Sequence, residues 1–204
     1  EYLDLEQDIV DADEATELGQ VEGRIHYDHV WFAYEGIPDD VDTPTEWALS
    51  DVEMTIEPGQ LAALVGPSGA GKTTLTYLLP RLYDVDRGAV RLDGHDVRDV
   101  TLASLAQQIG IVTQETNLFH ATIRENLVYG RPDATQEEIE EACRAASILD
   151  RIHELPDRFE TVVGERGYRM SGGEKQRLAI ARVIIADPRV LVLERARRGD
   201  AGVV

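Results

Sequence analysis

The glycine-rich segment GPSGAGKTT, at residues 66–74, constrains this chain more than any other feature. Its first glycine, the four residues that follow, the Gly-Lys pair and the threonine match the pattern of a phosphate-binding loop. The short apolar run LAALV, at residues 61–65, precedes the loop, and a stretch of helical composition follows it as far as Pro80. A buried parallel strand, the loop and a helix form the context that such a loop requires, so the sequence predicts an α/β fold.

The residue types of this loop suit the binding of ATP with Mg²⁺. Glycines let consecutive backbone N–H groups turn toward phosphate oxygens, and the helix N-terminus adds a partial positive charge. Lys72 can reach the β- and γ-phosphates, and the Thr73 hydroxyl can be a magnesium ligand. The residues of the loop that we expect to bind the nucleotide are Gly66, Ser68, Gly69, Ala70, Gly71, Lys72, Thr73 and Thr74.

Composition excludes several other classes of protein. The net charge of −19 argues against a nucleic-acid partner bound through its phosphates, because binding would bring like charges together. No segment has the roughly 20 continuous apolar residues of a membrane helix, and the N-terminus has no signal segment, so we expect the chain itself neither to span a membrane nor to be secreted. Cys143 is the single cysteine, which excludes an internal disulfide and predicts a small buried apolar residue.

The order of the remaining elements predicts one mixed domain that begins near Val21. Residues 1–20 hold eight acidic side chains and no Lys or Arg, which is typical of a solvated connector. Alternating or continuous apolar runs predict strands at residues 24–34, 48–56, 89–94, 109–113 and 190–193. Helical patterns are found at residues 101–108, 123–129, 135–146 and 172–186. The region from about 115 to 186 is therefore expected to be mainly helical.

Three segments resemble one known family. MSGGEKQRLAIARVIIADPRVLVLE, at residues 170–194, resembles the signature region of ATP-binding cassette proteins, which is usually LSGGQ followed by a helix and an apolar strand. IVTQETNLFHATIRENLVYG, at 111–130, is similar to the Q-loop region of that family, and ETVVGERG, at 160–167, to a loop of its exporter branch. The resemblance covers residues 21–193, and the acidic lead resembles the connector that follows the membrane helices of such exporters.

The resemblance implies a P-loop NTPase (RecA-like) core with an antiparallel β subdomain and a helical signature-motif subdomain. In that family Tyr34 would stack on adenine, for which an aromatic face is suited. Gln114 would act both as a catalytic residue and as a metal contact, because it would sense the γ-phosphate through Mg²⁺ or the attacking water. Glu165 and the Q-loop would lie near the membrane-spanning domain.

The resemblance also implies contacts with a second copy or a homologous nucleotide-binding domain in a dimer. The signature residues that would contact the γ-phosphate of ATP held by that partner are Ser171, Gly172, Gly173 and Glu174. A helix N-terminus that begins with small residues is a suitable anion site. Glu174 departs from the glutamine that is common at its position.

The family pattern breaks after the apolar strand at residues 190–193. The family expects an Asp that holds Mg²⁺ and then a Glu that polarises the attacking water, whereas here Glu194 is followed by Arg195. Either Glu194 occupies the Asp position or it is the catalytic base, and in both cases one carboxylate is missing. The tail at 195–204 lacks the expected histidine and dimer-contacting loop. Two hypotheses explain this difference: a shifted reading frame after Leu193, or natural divergence of the tail. We expect a fold that is incomplete at its C-terminal side.

Two functions follow from these observations. The first is an ATP-binding domain, hydrolytic in the intact protein, that powers export from the cytoplasmic face of a membrane. The second is a nucleotide-binding module or fragment without useful hydrolysis, which the missing carboxylate and histidine favour. A DNA-repair ATPase with the same signature is disfavoured, because such proteins insert long coiled coils and this chain has no heptad run.

Overall fold

The computed structural model of the chain describes residues 9–37, 45–113, 117–164 and 167–194. These residues form two compact units, the first extending to Ile109 and the second beginning at Gly110. Three positions with predicted roles, Gln114, Glu165 and Arg195, lie outside the described residues, as does the rest of the tail. Within the described ranges, none of the helices combines the length and the apolar character needed to cross a bilayer.

The first unit is built on a four-stranded antiparallel sheet of order β2–β1–β3–β4. Its strands are β1 (Ile25–Phe32), β2 (Leu49–Ile56), β3 (Arg87–Leu92) and β4 (His95–Asp96). Tyr27 in β1 pairs with Met54 on one side and Val90 on the other. Tyr27 is buried, and its hydroxyl donates to the Leu75 carbonyl at 2.9 Å, which ties the sheet to the helix after the glycine-rich loop.

Contacts with the first unit begin before Val21, whereas we predicted that the domain begins near Val21. Thr16 bridges to Val100, and the Leu102 N–H donates to Asp11 at 2.7 Å. Leu18 is buried, and its N–H donates to the Ser104 hydroxyl at 3.0 Å. The chain therefore contacts the first unit at residues 11, 16 and 18, while most of residues 11–20 are exposed to solvent. The role of residues 1–20 as a connector stays a prediction.

Among the described residues of the first unit, the helices are α1 (Lys72–Leu78) and α2 (Leu102–Gln108), and both confirm the sequence pattern. The buried strand predicted at residues 61–65 is wrong for this structure. These residues have no strand geometry, and Leu61 and Val65 are 77% and 66% exposed. A buried strand must pair its N–H and C=O groups with neighbouring strands, and among the described residues no segment pairs with this one.

The second unit is mainly helical, as predicted. Its helices are α3 (Ile123–Leu127), α4 (Gln136–Ala145), α5 (Leu149–Glu154) and α6 (Gly172–Ala186), with 3₁₀ turns at Val128–Gly130 and Arg158–Glu160. Fully buried apolar side chains such as Leu127, Ile139 and Leu178 form its core. Cys143 lies in this core, as expected, and burial raises the pKa of its thiol to about 12.

Capping boxes determine where three of these helices begin. In each box the side chain of the N-cap residue accepts from the backbone N–H three residues later, and the Glu at that position accepts from the N-cap N–H. The pairs are Thr122 with Glu125, Thr135 with Glu138, and Ser171 with Glu174. The predicted helix start near Thr135 and the predicted helix at 172–186 are both confirmed.

A two-stranded sheet joins β5 (Ile109–Val112) to β6 (Val190–Leu193). The two apolar runs predicted these strands, and the structure adds their pairing. The N–H of Glu194 donates to the Val112 carbonyl at 2.9 Å and so extends the pairing by one residue. Glu194 therefore follows the end of β6 directly.

Candidate nucleotide-binding site

Left-handed backbone at two glycines shapes the loop at residues 66–74. Gly69 has a φ of +81° and Gly71 a φ of +77°, a conformation that L side chains rarely adopt. A Cβ at Gly71 would lie 2.6 Å from Leu49 Cδ2 and 2.9 Å from the Ala48 carbonyl oxygen. The loop therefore lies against the start of β2, and only glycine fits at this contact.

The start of α1 presents hydrogen-bond donors to a ligand. Its N-cap is Gly71, which has no side chain to accept from the first-turn N–H groups. The Lys72 ammonium donates to the carbonyls of Gly66 and Pro67, at 2.9 and 2.6 Å, so it lies at the loop. Thr73 is exposed beside it. Backbone N–H groups, an ammonium and a hydroxyl oxygen together fit a triphosphate with Mg²⁺.

An aromatic corner is attached to the same loop. The hydroxyl of Tyr34 lies 2.9 Å from Thr74 Oγ1, which brings together two residues that were predicted separately to bind nucleotide. The Tyr34 ring packs edge-on against Phe32, with centroids 4.9 Å apart, and against Tyr83, at 5.4 Å. Tyr34 nevertheless remains 55% exposed, so a face of the ring is available for a flat base.

Phe32 and Tyr83 were missed by the sequence analysis. The period-two pattern of an extended segment places residues 32 and 34 on the same face, and this could have identified Phe32. Tyr83 reaches the corner through the fold, since it follows α1 in the chain, and no local pattern points to it.

The signature residues in the second unit form the start of α6. The Glu174 N–H donates to Ser171 Oγ at 3.3 Å, and the Ser171 N–H donates to Glu174 Oε2 at 2.7 Å. A Cβ at Gly172 would meet nothing within 4 Å, so this side of the helix start is open. The other carboxylate oxygen of Glu174 accepts from Arg151 Nε at 2.7 Å. Hydrogen bonds from the Ser171 N–H, from the Ser171 hydroxyl and from Arg151 hold the pKa of Glu174 below its usual value.

Arg151 was also missed by the sequence analysis. The Ser-x-x-Glu spacing at residues 171–174 is that of a capping box, which could have predicted that the Glu174 side chain turns back onto the helix start. Its pairing with Arg151, which lies on α5, depends on tertiary packing and has no signal in the sequence.

The resemblance assigned roles to three further residues, Glu194, Gln114 and Glu165. Glu194 directly follows β6, where the resemblance leads us to expect a pair of carboxylates. Gln114 and Glu165 fall outside the described residues. The roles of all three remain predictions.

A family model described as ABC transporter matches residues 49–196. The chain belongs to the ABC transporter family. Membership implies nucleotide binding, and it confirms the expected ATP-binding cassette fold, with an antiparallel β subdomain and a helical signature subdomain.

Individual ABC proteins are similar to almost the whole chain. ABC transporter aclQ of Aspergillus oryzae is 52% identical over 188 residues, which are 92% of this chain and 22% of that protein. An ATP-dependent lipid A-core flippase of Syntrophus aciditrophicus is 47% identical over 194 residues, 95% of this chain and 31% of the flippase. The solved structure of a bacterial Atm1-family ABC exporter with ATP bound matches with a TM-score of 0.84 and 39% identity, over 94% of this chain and 32% of that one.

This chain thus spans less than a third of the length of each of these ABC proteins. The match to the solved exporter extends across both compact units, since it covers 94% of the chain.

Proposed function

We propose that residues 66–74 bind the triphosphate of ATP and that Tyr34 supports its adenine. The observation that supports this most directly is the hydrogen bond between Tyr34 and Thr74, because it links an exposed aromatic face to the glycine-rich loop. A base platform and a phosphate loop at a fixed separation suit a nucleoside triphosphate and not an isolated phosphate.

Each residue of the site has a distinct part in binding. Lys72 exchanges its two carbonyl acceptors for oxygens of the β- and γ-phosphates, and the first-turn N–H groups of α1 donate to the same anion. Thr73, through its hydroxyl, and Gln114 are the residues that would hold Mg²⁺. Bound Mg²⁺ would neutralise the negative charge that develops on the phosphates during the reaction.

The proposal for the whole protein is ATP-powered export. The names of the relatives support this proposal. They include an ATP-dependent lipid A-core flippase and a putative multidrug export protein of Staphylococcus aureus. In this arrangement two nucleotide-binding domains close on two ATP molecules, and residues 171–174 of one copy contact the ATP of the other. In the same proposal Gln114 and Glu165 contact a membrane-spanning domain, and the site lies at the cytoplasmic face of the membrane.

A second candidate is nucleotide binding without turnover. The sequence favours it at one point, since Arg195 follows Glu194 and the pair of carboxylates expected after β6 is reduced to one. A group that orients the attacking water contributes to the rate of phosphoryl transfer and much less to affinity. Under this candidate the chain binds Mg-ATP and releases no phosphate above background.

Displacement of a fluorescent ATP analogue tests the binding proposal. We expect ATP and tripolyphosphate to displace the analogue, AMP to be much weaker, and chelation of Mg²⁺ to weaken both effective competitors. Equal displacement by AMP and ATP would contradict binding through the triphosphate. A parallel assay of phosphate release from ATP separates the two candidate functions. Release that Lys72→Ala abolishes supports ATP hydrolysis, whereas ATP binding without phosphate release supports a nucleotide-binding module without turnover.

A further inference from the structure

Glu174 places a negative charge at the start of α6. Under the proposed function, this helix start faces a phosphate of ATP bound to a second copy. A carboxylate and a phosphate repel each other, and the repulsion grows as water is excluded from between them. Some feature of this chain must therefore offset the charge if the signature is to accept an anion.

Both oxygens of Glu174 are directed into the protein. Oε2 accepts from the Ser171 N–H and Oε1 from Arg151 Nε, each at 2.7 Å, and the side chain is only 13% exposed. The carboxylate is thus folded back onto the start of α6. This position leaves the N–H groups near Gly172, on the open side of the helix start, as the groups that can face an anion.

Arg151 is itself held in place by two further groups. Its Nη1 donates to Glu154 at 2.8 Å, its Nη2 donates to the Tyr168 hydroxyl, and the guanidinium carbon lies 5.9 Å from the centre of the Tyr168 ring. Glu154 is 66% exposed, so water screens its charge more than that of Glu174. The fixed guanidinium is therefore shared by two carboxylates, and Glu174 is the one of the two that is largely removed from solvent.

The capping box at α4 provides an internal comparison. Glu138 has the same position in its box, and Arg131 pairs with it at 2.6 Å, but Glu138 is 46% exposed. A capping box in this protein therefore does not require a sequestered carboxylate. At the signature, by contrast, the arginine lies against an aromatic ring and the carboxylate is largely removed from solvent.

We infer that Arg151 is a positioning residue for the signature motif, which holds Glu174 away from the incoming phosphate and offsets its charge. The inference rests on the proposed function, in which the start of α6 meets ATP bound to a second copy. Loss of Arg151 frees the carboxylate to face the phosphate, and the dimer that ATP promotes is weakened.

The test is self-association of the full 204-residue chain in Mg-ATP, measured by analytical ultracentrifugation. We expect Arg151→Ala to weaken association by about tenfold, which corresponds to one close uncompensated charge. The same substitution in a Glu174→Gln background should change association by less than about twofold, because no carboxylate is left to repel. Arg131→Ala, which removes the matched arginine from the box at α4, should leave association unchanged.

Binding of a fluorescent ATP analogue, measured on every variant, separates the possible failures. If the wild-type chain binds the analogue but does not associate, the proposed contact between copies is wrong and the inference with it. If the wild type associates and Arg151→Ala equals it, only the inference is wrong. An equal loss in both backgrounds would also overturn it, because Arg151 would then act through folding alone. If Arg151→Ala lowers the melting temperature of the chain, Arg151→Gln takes its place, because glutamine keeps most of the aliphatic part of the side chain. We expect Arg151→Gln to weaken association by the same amount.

Discussion

The Tyr34 hydroxyl lies 2.9 Å from Thr74 Oγ1 and so joins a residue two positions beyond β1 to the first turn of α1. Thr74 is buried whereas Tyr34 is 55% exposed, so the buried helix residue fixes the position of the exposed ring. This one contact sets the separation between the aromatic corner and the glycine-rich loop.

Removing the Tyr34 ring should weaken the binding of ATP but not that of tripolyphosphate. We expect Tyr34→Ala to weaken ATP binding by about tenfold through loss of stacking, and Tyr34→Phe by only about threefold through loss of the hydrogen bond. Competition against a fluorescent ATP analogue measures both ligands. Equal losses for ATP and tripolyphosphate would show that Tyr34 supports the loop and does not contact the base.

Glycine at position 71 should matter more than glycine at position 69. Both have positive φ, so alanine strains the backbone at either site by about 1 kcal/mol. Gly71→Ala also forces a Cβ against Leu49 and the Ala48 carbonyl, and we expect a total cost of about 3 kcal/mol. Urea unfolding measures the difference, since a Cβ at Gly69 meets nothing within 4 Å. Equal losses would mean that the loop does not pack on β2.

The helical unit could be predicted from the sequence because its signals are local. Thr135 and Ser171 each stand three residues before a glutamate, and this spacing fixes the helix starts whatever surrounds them. The run at residues 61–65 is different, since an apolar segment becomes a strand only when other segments pair with it. The same holds for Arg151 and Tyr83, whose contacts join residues far apart in the chain or on different elements.

Asn126 should be the most costly polar residue of the second unit to replace. It is fully buried, its Oδ1 accepts from the Phe119 N–H and from Arg182, and its Nδ2 donates to the Phe119 and Thr122 carbonyls. Asn126→Leu leaves these partners unsatisfied, and we expect the free energy of unfolding to fall by about 3 kcal/mol.

Asn117→Leu is the matched control, because the other asparagine of the chain is exposed. It should change stability by less than about 0.5 kcal/mol. Thermal unfolding of both variants checks the pair, and similar melting shifts would contradict the structural role assigned to Asn126.

Stability should decline in acid partly through Glu174. Hydrogen bonds from Ser171 and the pairing with Arg151 hold the pKa of Glu174 below its ordinary value near 4.5. A carboxyl with a lowered folded-state pKa stabilises the fold above its unfolded-state pKa, and this contribution is lost as the pH falls through the folded-state value. We therefore expect the wild-type chain to lose stability below pH 4.5 more steeply than Glu174→Gln. Parallel pH curves for the two proteins would contradict this linkage.

The most direct test of ATP binding at the glycine-rich loop uses the only two lysines of the chain, Lys72 and Lys175. Isothermal titration with Mg-ATP compares Lys72→Ala with Lys175→Ala, which removes the same charge from α6. We expect Lys72→Ala to weaken binding by about a hundredfold, because its ammonium is a principal partner of the phosphates, while Lys175→Ala stays within about twofold of the wild type. Equal affinity of Lys72→Ala and the wild type would contradict the assignment of this loop as the ATP site.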